Sequence, residues 1–137
     1  TYLADAFPRS GLAVPVGDPR RGAYLKWLFY APGVLEPAVT DRAFPRKEEA
    51  RRGILGYGEF DTVMNVLCAA VTPGPFLMGE QFTTADVVIG ANIRWGMGFK
   101  MIPERKELVD YVARFMERPA AKRADAKDAA FRQQSGG

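Results

Sequence analysis

The sequence predicts an all-α fold, a bundle of helices, on three observations. Apolar residues recur at helical spacing in separate stretches, proline and glycine punctuate those stretches, and strand signals are poor. The one β-rich run, Val14-Pro15-Val16, is interrupted by proline, and no Asn-Gly or Asp-Gly turn separates alternating runs. At 137 residues, with 47% hydrophobic and 26% charged side chains, the chain has the size and balance of one ordinary domain.

The first helix is read between Asp18 and Phe44. Its apolar positions are Ala23/Tyr24, Leu28 beside Trp27, Ala31, Val34/Leu35 and Ala38/Val39, the period of one helical face. Asp18 suits an N-cap, and Pro19 suits the first helical position, where a missing N–H costs nothing. Pro32 and Pro37 free the carbonyls of Leu28 and Gly33, so this helix is expected to bend or break in its middle and open a cleft.

A second helix follows from Phe60, Val63, Met64, Leu67, Ala70 and Val71, ended by Thr72-Pro73-Gly74-Pro75. A later one follows from Leu108, Tyr111, Val112, Phe115 and Met116, and ends near Pro119. Beyond it lies a basic stretch with Arg118, Lys122, Arg123, Lys127 and Arg132 against Asp125 and Asp128. Residues 1–117 hold fourteen basic and fourteen acidic side chains, so the net charge of +3 comes from this tail. The tail is read as a solvated last helix, and no nucleic-acid binding is expected.

The sharpest local motif is Phe82-Thr83-Thr84-Ala85-Asp86-Val87. Thr83 and Asp86 have the spacing of a reciprocal capping box, and Phe82 and Val87 that of its hydrophobic staple. The box marks a helix from Ala85 to Met97, and Asp86 is read as structural. The longer run, Pro75-Phe76-Leu77-Met78-Gly79-Glu80-Gln81-Phe82-Thr83-Thr84-Ala85-Asp86, closely resembles the segment that opens the central helix of the C-terminal domain in the glutathione transferase family, bacterial members included. Tyr2-Leu3-Ala4-Asp5 looks like the end of that family's thioredoxin-like domain. Trp27-Leu28 and Tyr111 through Arg118-Pro119-Ala120 agree in order and spacing.

The resemblance implies three parts: residues 1–7 as the end of a thioredoxin-like domain, 8–17 as a linker, and 18–137 as the C-terminal helical domain. Thr1 is no initiator Met, and the chain is expected to continue a longer one whose upstream domain supplies the catalytic residue and most of the glutathione site. No catalytic residue is expected in this segment. Its implied role is the pocket for a hydrophobic electrophile, with Tyr24, Trp27, Tyr30, Val34, Leu35 and Trp95 as candidates and Arg94 as a candidate for an anionic group. A homodimer is implied; Arg20, Arg21, Arg51 and Arg52 are candidates to pair with acids of the partner, against the favoured reading of them as solvated dibasic runs. The alternative is a non-catalytic interaction domain of the same fold, as occurs in translation factors and tRNA synthetases.

Composition excludes several classes. The absence of histidine removes zinc-finger ligand sets and Ser/His or Cys/His catalytic pairs. Cys68 is the only thiol; it falls on an apolar helical stripe without a basic neighbour and is read as inert core. No metal is expected. A lone cysteine suits a cytoplasmic protein, and no apolar run approaches the roughly 18 residues of a membrane span.

Overall fold

Capping, periodicity and proline placement lay out seven α-helices among the described residues of the computed structural model, which are 1–48, 50, 51 and 53–135. They are α1 (Tyr2–Ala6), α2 (Arg21–Tyr30), α3 (Glu36–Ala43), α4 (Phe60–Val71), α5 (Thr84–Gly98), α6 (Lys106–Met116) and α7 (Pro119–Ser135). No strand accompanies them, only two isolated bridges in the 76–81 turn. The fold is all-α. Of the readings above, Arg52 and the last two residues of 18–137 lie outside the described residues.

α2 starts later than expected: its N-cap is Arg20, without a side-chain cap bond, and not Asp18, and Pro19 precedes the helix. The Asp18 carboxylate accepts the Arg20 amide at 2.8 Å and its carbonyl accepts the Arg21 amide at 2.9 Å. Asp18 and Pro19 thus wind a tight turn that leads into the regular helix two residues later. The prolines then widen the helix rather than break it. Ala31–Leu35 form a single π turn in which the Glu36 amide reaches five residues back to the Ala31 carbonyl, and α3 continues from there. This turn buries Leu35 and leaves Glu36 exposed.

α5 is central: it packs on α2, on the π turn and on α6, while α6 also meets α4 and α7. Tyr24, Leu35, Met64, Leu67, Ile89, Ile93, Leu108 and Tyr111 are fully buried between these helices. Cys68 is a buried free thiol on α4, and the Thr72 hydroxyl donates to its carbonyl at 2.7 Å.

The capping box closes as the spacing predicts. The Thr83 amide and hydroxyl donate to Asp86 Oδ2 at 2.8 and 3.1 Å. Asp86 Oδ1 accepts the Leu77 amide at 2.8 Å and the Tyr111 hydroxyl at 2.9 Å. One fully buried carboxylate therefore joins the preceding loop, the start of α5 and the middle of α6. Burial, and then the Asp86 charge, push the Tyr111 phenol far above its ordinary pKa, so it stays a donor. The staple is less simple than expected. Phe82 meets Phe76 edge-on at 5.1 Å and stacks on Phe115 at 6.1 Å under the Arg118 guanidinium, while Val87 is exposed.

The segment 8–17 is strapped down. Val14 is fully buried, the Thr84 amide donates to the Leu12 carbonyl at 2.8 Å, and Gln81 donates to the Gly11 carbonyl at 3.1 Å. Arg21 forks onto Asp5 at 2.7 and 2.8 Å and also reaches the Val14 carbonyl at 2.6 Å, tying α1 to α2. The bonds from Arg21 hold the Asp5 carboxyl below its ordinary pKa.

α5 ends in a Schellman motif with an unusual occupant. The Met101 amide returns to the Gly96 carbonyl at 2.8 Å and the Lys100 amide to the Met97 carbonyl at 2.9 Å. The left-handed position between them is Lys100, at φ 57°, where glycine is the usual residue. A side chain in this region costs about 1 kcal/mol or more, partly offset by the greater unfolded-state freedom of glycine. Lys100→Gly is therefore expected to raise stability by about 0.5 kcal/mol, read as a higher urea midpoint. An unchanged or lower midpoint would show that Lys100 makes compensating contacts.

Candidate functional site

The π turn and the start of α3 stand opposite the C-terminal half of α5, and a cleft of about 380 Å³ lies between them. Leu35, Val39 and Ile102 supply buried apolar walls, and Trp95 supplies an aromatic one. Ala91 leaves space on α5, and Glu36, Thr40 and Asn92 complete the lining. Trp95 is 55% exposed and its ring lies 4.8 Å from Phe99. A half-exposed indole beside a cleft offers a large apolar surface at little entropic cost.

The structure separates the predicted pocket residues. Leu35 and Trp95 line this cleft. Tyr24 does not: it is fully buried between α2 and α5, and its hydroxyl lies 2.5 Å from Thr84 Oγ1, which itself donates to the Leu12 carbonyl at 3.3 Å. Tyr24 accordingly belongs to the core and the strap. Trp27 is buried edge-on against Tyr30 at 5.4 Å, with Lys26 over its ring at 3.9 Å. Tyr30 donates its hydroxyl to the Val63 carbonyl of α4 at 3.1 Å, and burial raises its pKa. Val34 is half-buried against the core.

Three of the cationic candidates, Arg94, Arg20 and Arg21, are likewise committed. Arg94 forks onto Asp125 of α7 at 2.7 and 2.9 Å, which removes its guanidinium from duty as an anion site and pins the last helix to α5. Arg20 is paired with Asp18 and Arg21 with Asp5 inside the same chain, so neither is a free cation awaiting a partner's carboxylate.

Glu36, Val39, Thr40, Ala91, Asn92 and Ile102 were not among the sequence candidates. The helical signal for four of them was present: Ala91 and Asn92 share an i, i+1, i+4 face with Trp95, and Val39/Thr40 lie one turn beyond Leu35/Glu36. Ile102 arrives through the turn after α5, which no periodicity marks. A larger depression of about 650 Å³ lies by the loop before α4, where Asp41 accepts hydrogen bonds from Arg46 and Tyr57. Among the described residues, no group of three metal-ligating side chains occurs, and no helix is long and apolar enough to cross a membrane.

Fold and cleft together define an all-helical domain with an aromatic-walled groove against its central helix. No protein-family model matches the chain. It is 27% identical over 128 residues to glutathione S-transferase GstA of Escherichia coli O157:H7, covering 93% of this chain and 61% of that protein. Among solved structures, the glutathione transferase of Methylococcus capsulatus str. Bath superposes with a TM-score of 0.75 at 28% identity, over 94% of this chain and 64% of the other. BphK, a bacterial transferase solved as a ternary complex, gives a TM-score of 0.72 over 90% and 62% of the two chains; at 20% identity this is a likeness of fold.

The chain is thus a homologue of the glutathione transferases, with the all-helical fold of their C-terminal domain. It spans about three fifths of the length of the relatives it matches.

Proposed function

We propose that this chain is the substrate-binding and dimerising part of a glutathione transferase whose whole protein joins glutathione to hydrophobic electrophiles. The observation that carries this is the cleft between the π turn and α5, walled by Leu35, Val39, Ile102 and Trp95. On this reading residues 1–7 close a thioredoxin-like domain, 8–17 are the linker, and 18–137 form the helical domain. Glutathione attacks as its thiolate, which needs nearby donors or positive charge. In the cleft the Thr40 hydroxyl and one Asn92 amide hydrogen are donors, Arg94 is spent on Asp125, and Cys68 is buried on α4. On this reading the cleft holds the electrophile, without a positive charge for a thiolate, and the thiol is bound and activated by residues outside it. Phe29 on α2 and Val66 on α4 remain exposed, which supports pairing of two copies through these helices.

The test is a kinetic comparison in the full-length transferase. Trp95→Ala is expected to raise the KM for an apolar electrophile about tenfold, the effect of losing roughly 1.4 kcal/mol of aromatic contact, with the KM for glutathione nearly unchanged. Equal effects on both substrates would remove Trp95 from the site. If calorimetry showed that the full-length protein binds no glutathione, the non-catalytic interaction domain would be the better reading.

A further inference from the structure

The polar groups of the cleft are few and unevenly charged. Among the described residues that line it, Glu36 is the one charged group, and its carboxylate has no ion-pair or hydrogen-bond partner there. Asn92 donates one side-chain N–H to the Val88 carbonyl at 3.0 Å, which fixes the amide orientation and leaves Oδ1 as an acceptor and the second N–H as a donor. Thr40 adds a hydroxyl able to donate or accept. The neutral groups thus offer donors and acceptors alike, and the Glu36 carboxylate alone gives a sign to the rim of an apolar cavity walled by an indole. Positive groups are drawn to both a carboxylate and an indole face, whereas an anion meets like charge from Glu36. The cations Arg42 and Lys100 line a separate depression with Phe44 and Phe99, and Arg42 lies over the Phe60 ring at 4.4 Å.

We infer that the cleft selects aromatic ligands bearing an ammonium over aromatic acids of the same shape, with Glu36 as the residue that sets the choice. The inference rests on the cleft being the ligand site. An ammonium held near the exposed carboxylate gains modestly and a carboxylate loses modestly, which together separate the two by about tenfold.

Calorimetric titration with 1-naphthylmethylammonium, 1-naphthylmethanol and 1-naphthoate tests it, since the three share a ring and differ in charge. The ammonium is expected to bind about tenfold tighter than the acid. In Glu36→Gln that ratio should fall to about two or less, with the affinity of the alcohol unchanged, and Glu36→Lys should reverse the order. An unchanged ratio in Glu36→Gln, or an acid that binds best to the parent sequence, would overturn the assignment to Glu36. Trp95→Ala separates the two levels of the argument. If it weakens all three ligands, the cleft is the site whatever Glu36 does; if it weakens none, or if none binds the unmodified chain, the cleft reading fails and the charge preference with it.

Discussion

Asp86→Ala is expected to lower the unfolding free energy by about 3–5 kcal/mol, the range for removing one partner of a buried charged network. An ordinary N-cap substitution costs only about 0.5–2 kcal/mol. The difference lies in what the carboxylate holds. Besides the Thr83 amide and hydroxyl, it accepts the Leu77 amide and the Tyr111 hydroxyl, all in the interior. Alanine leaves these donors without an acceptor and out of reach of water, which is the costly half of the hydrogen-bond asymmetry.

Two milder variants apportion the loss. Tyr111→Phe removes one bond, leaves the other three, and should cost about 1–2 kcal/mol. Asp86→Asn keeps the shape but turns an amide group toward one pair of donors, so it should fall between the other two. A loss below about 1 kcal/mol for Asp86→Ala in urea unfolding would show that water or a shifted loop replaces the carboxylate. None of the four bonds runs to a cleft residue, so in a variant that still folds, ligand binding should persist.

How far this arrangement is legible in the sequence depends on the distance over which each part is decided. The helices at Phe60–Val71 and Lys106–Met116 follow from their own apolar stripes, and the start of α5 from a cap within four residues. The position of the cleft also follows locally, because two prolines in one helix force the carbonyl ladder open. Depth is different. Tyr24, Trp27, Tyr30 and Leu35 share one apolar pattern, yet the cleft is lined by Leu35 while Tyr24 is sealed beneath Thr84 and Leu12. Periodicity assigns a residue to a face, and only packing against other elements decides how deep that face goes. The Arg94–Asp125 pair and the Asp86–Tyr111 bond likewise join residues more than twenty positions apart, and no spacing rule reaches that far.

Gly96→Ala is expected to destabilise the fold by about 1–2 kcal/mol, against the usual gain of about 1 kcal/mol when alanine replaces glycine in a helix. The Gly96 carbonyl accepts both the Met101 and Ile102 amides, at 2.8 and 3.0 Å, so the chain after α5 folds directly back over it. A Cβ added there would lie 2.5 Å from Cδ1 and 2.7 Å from Cγ1 of Ile102. Ile102 is buried, and its amide is one of the two held by Gly96, so it cannot retreat as a free side chain would. Overpacking therefore outweighs propensity. Because Ile102 also walls the cleft beside Trp95, the displacement should reach the ligand, and 1-naphthylmethanol should bind several-fold more weakly. The Ile102→Ala background isolates the cause. That change alone should cost about 2–4 kcal/mol, but with it in place Gly96→Ala should become neutral or stabilising, since only Ile102 Cβ would remain, at 3.3 Å. An equal cost for Gly96→Ala in both backgrounds would place the strain in the helix itself, and the link from α5 through Ile102 to the cleft would be lost.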